Sequence, residues 1–304
     1  MILEYTIPDD MPETPVKSFL RRQGLSSHFW KRMKYEGPLT INGVKIQRAA
    51  LASVRAGDSL RCVIPERSSV EPEALPLDIR YEDDALLIVN KPAPMLVHPL
   101  AKEKTGTLAG AVTHYYRSKG EPLIFHPMHR LDRNTTGLVL IAKLPHVQAL
   151  LTSADGLWAQ RLYLAVAHGR FAVPEGVISA PLRRKPGSLV EQEVHEDGRP
   201  AVTEYRVLHE GADASLLELR PQTGRTHQLR VHLAAFGHPL LGDDLYGEKS
   251  ALIGRQALHA CRIELTHPLS HTPLSVSAPP PDDFLHLLRT LWGKTPVPLC
   301  AGDT

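Results

Sequence analysis

Asp132 stands between two arginines in His129-Arg130-Leu131-Asp132-Arg133. A short polar turn ending in Gly137 follows, and then the apolar run Leu138 to Ala142. That run reads as a buried strand, so the carboxylate would sit on a loop against the end of a core strand. A group presented in this way can attack a carbon or remove a proton. A surface ion pair near a turn would show the same local pattern and be worth little. The remainder of the chain has to decide between the two.

Two further stretches carry groups that could work with it. In Gln160-Arg161-Leu162-Tyr163-Leu164-Ala165-Val166 the alternation predicts a strand. Leu162, Leu164 and Val166 would face one way, and Arg161, Tyr163 and Ala165 the other. A tyrosine and an arginine can therefore point together at a site. On this segment alone the simpler use of Tyr163 is core filler with its hydroxyl bonded at an edge. In Pro221 to Leu233, Thr226 can cap a helix with Leu229, Leu233 and Phe236 as its buried stripe and Gly237 at its end. Arg225 then stands on a loop at the helix start, where Gly224 permits a tight turn or a close approach. Asp243 and Asp244, after Pro239-Leu240-Leu241-Gly242, read as loop or cap residues.

These groups need a body to hold them. The chain has 304 residues, 42% of them hydrophobic, which is enough for a sizeable core and suits two domains or one with an appendage. The net charge of +2 hides an asymmetry. Residues 15–64 hold ten Lys/Arg against two acids, residues 1–14 four acids and no base, and residues 65–304 are close to balanced. A basic unit on a neutral body suggests a polyanion grip beside a separate reaction site. Three cysteines at unrelated spacings imply neither a disulfide framework nor a zinc site and favour a reducing compartment. The sixteen histidines fall into no metal spacing. No signal peptide is visible and no run is long and apolar enough to span a bilayer, so the expectation is a cytoplasmic protein with no membrane contact.

Residues 1–14 read as an acidic extended arm with room for a short strand. Val16 to Gln23 forms a short helix closed by Gly24, and Ser26 or Ser27 caps a second through Tyr35. Leu39-Thr40-Ile41, Asn42-Gly43 and Val44-Lys45-Ile46 form a hairpin, because both turn residues tolerate positive φ. A strand from Ser59 to Ile64 follows Gly57-Asp58. Residues 65–76, with three prolines and several charges, form a linker. Beyond it, Ile79 to Asn90 reads as a hairpin, Leu108 to Tyr116 and His146 to Leu151 as helices, and Ala201 to Leu208 with Ala214 to Arg220 as paired strands.

Residues 15–64 resemble the S4 RNA-binding module: two small helices, an Asn-Gly hairpin and a Gly-Asp-x-Leu strand. Arg21, Arg22, Lys31, Arg32, Lys34 and Lys45 are its candidate RNA contacts, against the ordinary alternative of a solvated basic face. Trp30 and Tyr35 could stack on bases, with core packing the better role for at least one. Roughly residues 77–290 resemble the RluA family of pseudouridine synthases. The carriers, in order, are His129 to Lys143, Arg161-Leu162-Tyr163-Leu164-Ala165, Thr223 to His232, Gly237 to Asp243 and Leu258-His259-Ala260. Departures are small. Thr136 stands where serine is common, Asn134 where aspartate is, Arg161 where lysine is, and Pro94 where glycine is.

The resemblance implies an α+β pseudouridine synthase fold, with a mixed, largely antiparallel sheet and flanking helices over residues 77–295 and a tail at 296–304. It implies isomerisation of uridine in RNA without metal or cofactor. Asp132 would react, kept ionised and oriented by Arg225. Tyr163 would stack on the uracil, with a base role left open. Arg130 would either fill the space left by an extruded base or contact phosphate. Arg133 would contact phosphate or fix its loop, and Arg161 joins the RNA contacts. Ribosomal RNA is the first choice of substrate, transfer RNA the second, and a monomer the default. A non-catalytic RNA-binding protein of the same fold would not need Asp132, Tyr163 and Arg225 together. A glycosidase would usually show two flanking carboxylates.

Overall fold

The computed structural model describes residues 2–23, 25, 30, 39–46, 49–63, 70–121, 123–153 and 159–296. Lys31, Arg32, Lys34 and Tyr35 lie outside these, as does all of the expected second helix except Trp30. Trp30 is buried in the core of the N-terminal part.

That part is built on a sheet ordered Ile2–Thr6, Ser59–Val63, Leu39–Ile41, Val44–Lys45, with antiparallel pairing throughout. Asn42 and Gly43 both take positive φ, 51° and 78°, as a two-residue hairpin turn requires. The Asn42 amide donates to Asp58 Oδ1 and accepts from the Ser59 N–H, both at 2.8 Å, locking the hairpin to the Gly57-Asp58 turn. Helix Val16–Arg22 buries Val16, Phe19 and Leu20 and leaves Arg21 and Arg22 in solvent. The short strand of the N-terminal arm is Ile2–Thr6, which joins this sheet, and Ile7 is buried beneath it, because the apolar residues at 3, 5 and 7 outweigh the neighbouring acids.

The larger sheet runs Glu175–Ser179, Val202–Glu210, Ala214–Pro221, Gln160–His168, Leu258–Thr266, Thr136–Ala142, Leu86–Lys91, Asp78–Glu82. Pro273–Ser277 pairs with Leu258–Thr266, and His126–Pro127 with Thr136–Ala142. Every pairing is antiparallel except that of Thr136–Ala142 with Leu258–Thr266. The Thr136–Ala142 strand is buried along its whole length. Its Val139 and Ile141 join the core beneath helices Leu108–Ser118 and Gln228–Ala235, while Leu138, Leu140 and Ala142 pack against helix Pro145–Ser153. Burial of each of these Val, Leu and Ile side chains stabilises the fold by about 1.5–3 kcal/mol. Gly137 is required where the two parallel strands touch. Its φ is 115°, and a Cβ there would lie 2.2 Å from the Ala260 carbonyl oxygen.

The predicted alternation in Gln160–His168 holds. Tyr163, Ala165 and Ala167 enter one core, and Leu162, Leu164 and Val166 another beneath helix Asp282–Trp292. Phe236, expected in the buried stripe of helix Gln228–Ala235, is instead 50% exposed. The helix ends at Ala235, so Phe236 leaves the inward face.

The segment at 70–76 is not free of the body. Val70 packs on the main core, and the Glu73 carboxylate accepts the Gly106 N–H at 2.6 Å, at the start of helix Leu108–Ser118. A carboxylate is favoured at a helix N-terminus.

Candidate active site

The loop carrying Asp132 is tied down from behind. Lys91, fully buried, donates from Nζ to the carbonyls of Pro92, Met95 and Arg133 at 2.8, 2.9 and 3.2 Å. Desolvation drives its pKa down to about 7, opposed by the negative charge of Asp132. The Asp132 carbonyl accepts the Thr135 N–H at 3.1 Å, and the Thr135 hydroxyl is held by the Gln256 amide at 3.0 Å. His129 Nε2 accepts the Leu140 N–H at 3.1 Å, fixing the other end of the loop to the strand. Burial, aided by the charge of Arg161, pushes His129 down to about 3 and keeps it neutral.

Asp132 opens into a cleft of about 310 Å³ lined also by Arg130, Arg161, Tyr163, Gly224, Arg225, His227 and Arg230. Its Oδ2 accepts from Arg230 Nη1 at 3.2 Å. Oδ1 lies 3.8 Å from His227 Nε2 and accepts no hydrogen bond among the described residues. Arg230 is itself gripped by Asp243, Nε to Oδ2 and Nη2 to Oδ1, each at 2.7 Å. Asp243 is fully buried, and it also accepts the N–H groups of Leu245 and Tyr246. Burial alone would weaken the charge of Arg230, but Asp243 and Asp132 outweigh it and hold the guanidinium cationic.

This corrects the sequence expectation for Arg225. Its Nε donates to the Pro200 carbonyl at 3.0 Å, and its side chain makes no ion pair with Asp132. The loop at 223–227 is closed by the Gln228 side chain, whose Oε1 accepts from the Thr223 hydroxyl and the Arg225 N–H. With the loop so closed, the Arg225 side chain lies at the cleft but is directed to the Pro200 carbonyl, while Arg230, inside the helix, meets the acid. Thr226 does not cap the helix either. The cap is His227, in the left-handed region at φ 55°. Gly224 is not demanded by its backbone, since a Cβ there would meet only the Arg161 guanidinium at an ordinary 3.6 Å.

Tyr163 lines the cleft wall with only 6% of its surface exposed. The register with Leu258–Thr266 shifts between Leu162 and Tyr163, and such irregularities re-aim a side chain. Burial raises its phenol pKa and favours the protonated form.

Arg130 is exposed at the cleft mouth. Arg133 is engaged with Glu103 through both terminal nitrogens, the Nη1 contact at 2.6 Å. Of its two expected roles, that pairing fits the fixing of the loop. Arg161 lines the same cleft, whereas Arg21, Arg22 and Lys45 belong to the N-terminal sheet unit.

Arg230, Asp243, His227, Tyr246 and Lys91 were missed by sequence reasoning. Arg230 and Asp243 were quoted within motifs, but nothing local distinguished Arg230 from Arg225. Only a buried Asp243 does so, and burial of one loop aspartate has no sequence signature.

Residues 85–235 match the family described as RNA pseudouridylate synthase. The chain is 38% identical over 280 residues to the uncharacterized RNA pseudouridine synthase YjbO of Bacillus subtilis (strain 168), covering 90% of this chain and 98% of that one. It is 36% identical over 305 residues to ribosomal large subunit pseudouridine synthase D of Nitrosomonas europaea, covering 95% and 88%. Among solved structures, human RNA pseudouridylate synthase domain containing 1 superposes with a TM-score of 0.55 at 26% identity, over 71% of this chain and 86% of that one. An ordered motif set, a mixed sheet and relatives matched over nearly their full length agree: the chain belongs to the RluA family of RNA pseudouridine synthases.

Proposed function

We propose that the chain isomerises uridine in ribosomal large-subunit RNA, with Asp132 as the reacting carboxylate. The observation that carries the reading is the division of labour on Asp132. Oδ2 is held by a buried arginine, while Oδ1 is left for a substrate in the cleft. The reaction breaks the bond from C1′ to N1 and joins C1′ to C5. The C5 proton departs and N1 gains one, so no atom and no electron is added. Asp132 serves either by attacking the sugar or by removing a sugar proton. Tyr163, protonated and walled in, packs on the uracil while it is detached and turned. Arg130, exposed beside the cleft, fills the space the extruded base leaves. Arg161 contacts the RNA at the same cleft.

The RNA choice is supported by the relatives that act, by their names, on the ribosomal large subunit. A basic N-terminal unit of S4-like composition supports it as well, with Arg21, Arg22, Lys31, Arg32, Lys34 and Lys45 as the grip. The reading includes a monomer working in the cytoplasm. Cys62 and Cys261 are buried and in no disulfide among the described residues, which accords with a reducing compartment.

The test is to incubate the protein with unmodified large-subunit RNA and, separately, with unmodified transfer RNA, and to map pseudouridine. New sites in the first are expected. Sites only in the second would replace the substrate. RNA binding with no product, or release of free uracil, would overturn the reaction.

A further inference from the structure

His227 occupies a backbone conformation that glycine or asparagine adopts most cheaply. The backbone alone would accept a smaller residue there, so what the imidazole touches is informative. The imidazole is 15% exposed and bridges two groups. Nδ1 is 2.8 Å from the Tyr246 hydroxyl, and Nε2 faces Asp132 Oδ1. Tyr246 is itself fixed. Its oxygen accepts the Gln192 N–H at 2.8 Å, its N–H is held by Asp243, and its ring lies 5.1 Å from the Arg230 guanidinium carbon. One tyrosine thus braces both groups that meet the carboxylate.

The hydrogen positions follow from these partners. Burial favours the uncharged imidazole, against the pull of Asp132. The tautomer with hydrogen on Nδ1 would aim the Nε2 lone pair at a carboxylate. The other lets the Tyr246 hydroxyl donate to Nδ1 and places an N–H on Nε2, towards Oδ1. At 3.8 Å this is an approach and not yet a hydrogen bond.

We propose that His227, held by Tyr246, is a positioning residue that sets the angle at which Asp132 Oδ1 meets the sugar. Arg230 fixes one oxygen, and the imidazole N–H steers the other. This rests on the reading of Asp132 as the reacting group.

Single-turnover rates at saturating large-subunit RNA, RNA affinity and thermal midpoint test it together. His227→Gly removes the imidazole and relieves the left-handed backbone. It is expected to keep or raise the thermal midpoint and RNA affinity while slowing turnover by about 10- to 100-fold, the scale of a misaimed reacting group. Tyr246→Phe deletes one oxygen and should slow the same step. His227→Gln, which restores an N–H donor, should recover part of the rate. The double variant should be no slower than His227→Gly alone, because the two act in series. Turnover within threefold of the parent in His227→Gly, or rate losses that multiply in the double variant, would overturn the proposal. If His227→Gly fails to fold, an unchanged rate in Tyr246→Phe overturns it. Asp132→Asn separates the two levels. An active Asp132→Asn sinks the underlying reading, whereas an inactive one beside fully active His227 and Tyr246 variants sinks this inference only.

Discussion

Arg230 reaches Asp132 with the one terminal nitrogen that Asp243 leaves free. Nε and Nη2 grip Asp243 at 2.7 Å, and Nη1 meets Asp132 at 3.2 Å. A bidentate grip fixes the plane of the guanidinium, so the direction in which Nη1 points is set by a residue that never touches the cleft. The ion pair at the reacting carboxylate is therefore built from the inside outward.

Arg230→Ala is expected to abolish turnover and to destabilise the fold by about 3–5 kcal/mol, because it strands Asp243 as a buried, unpaired charge. Arg225→Ala should leave the single-turnover rate within a few-fold of the parent. It forfeits one hydrogen bond to a carbonyl, worth about 0.5–1.5 kcal/mol. Denaturant unfolding with single-turnover kinetics on both variants compares the two arginines directly.

Asp132→Asn is nearly isosteric, and its side chain is 18% exposed at the cleft. Its unfolding midpoint and RNA affinity are expected to stay close to the parent while product disappears. Residual turnover near the parent rate, read by pseudouridine mapping, would remove Asp132 from the chemistry.

Gly137→Ala should be severe although it adds a single methyl. The new Cβ would collide with the Ala260 backbone at a φ of 115°. Backbone strain and overpacking together should cost roughly 2–6 kcal/mol. Loss of a cooperative melt, or a midpoint lowered by tens of degrees, is the expected outcome.

Glu82 gives the acid side of the stability curve a definite shape. Burial would raise its pKa, but hydrogen bonds from Tyr115, Lys143 and Lys119 overcome that and hold it down to about 2, from an ordinary value of 4.5. A depressed acid stabilises the fold fully above its unfolded pKa, and that contribution is lost as pH falls from 4.5 through about 2. Glu82→Gln should thus lower stability by about 1–3 kcal/mol at pH 7 and flatten the dependence below pH ~5. Urea unfolding from pH 7 down to pH 2.5 reads both.

Removing residues 1–70 is expected to weaken RNA binding and to reduce the slope of log affinity against log salt, because lost phosphate contacts release fewer counterions. An unchanged slope in a truncated protein that still folds would show that the grip lies in the body.

The sequence by itself determined the elements that follow from local physics. The strand at 136–142 was written in an unbroken apolar run, the facing of Tyr163 in strict alternation, and the hairpin at Asn42-Gly43 in two residues that tolerate positive φ. It also marked Asp132, because an acid between arginines before a buried strand is a local pattern. Only the tertiary structure decided which arginine meets that acid. Arg225 and Arg230 stand five positions apart in the same motif. The choice between them depends on how Gln228 closes the loop and on a buried Asp243 that grips Arg230 from the following loop. The same holds for His227 and Tyr246, whose meeting depends on the path of the loop at 240–246. Such contacts arise from burial and from how the chain turns back, and for Asp132 and Arg230 from the approach of segments 98 residues apart, which no local pattern encodes.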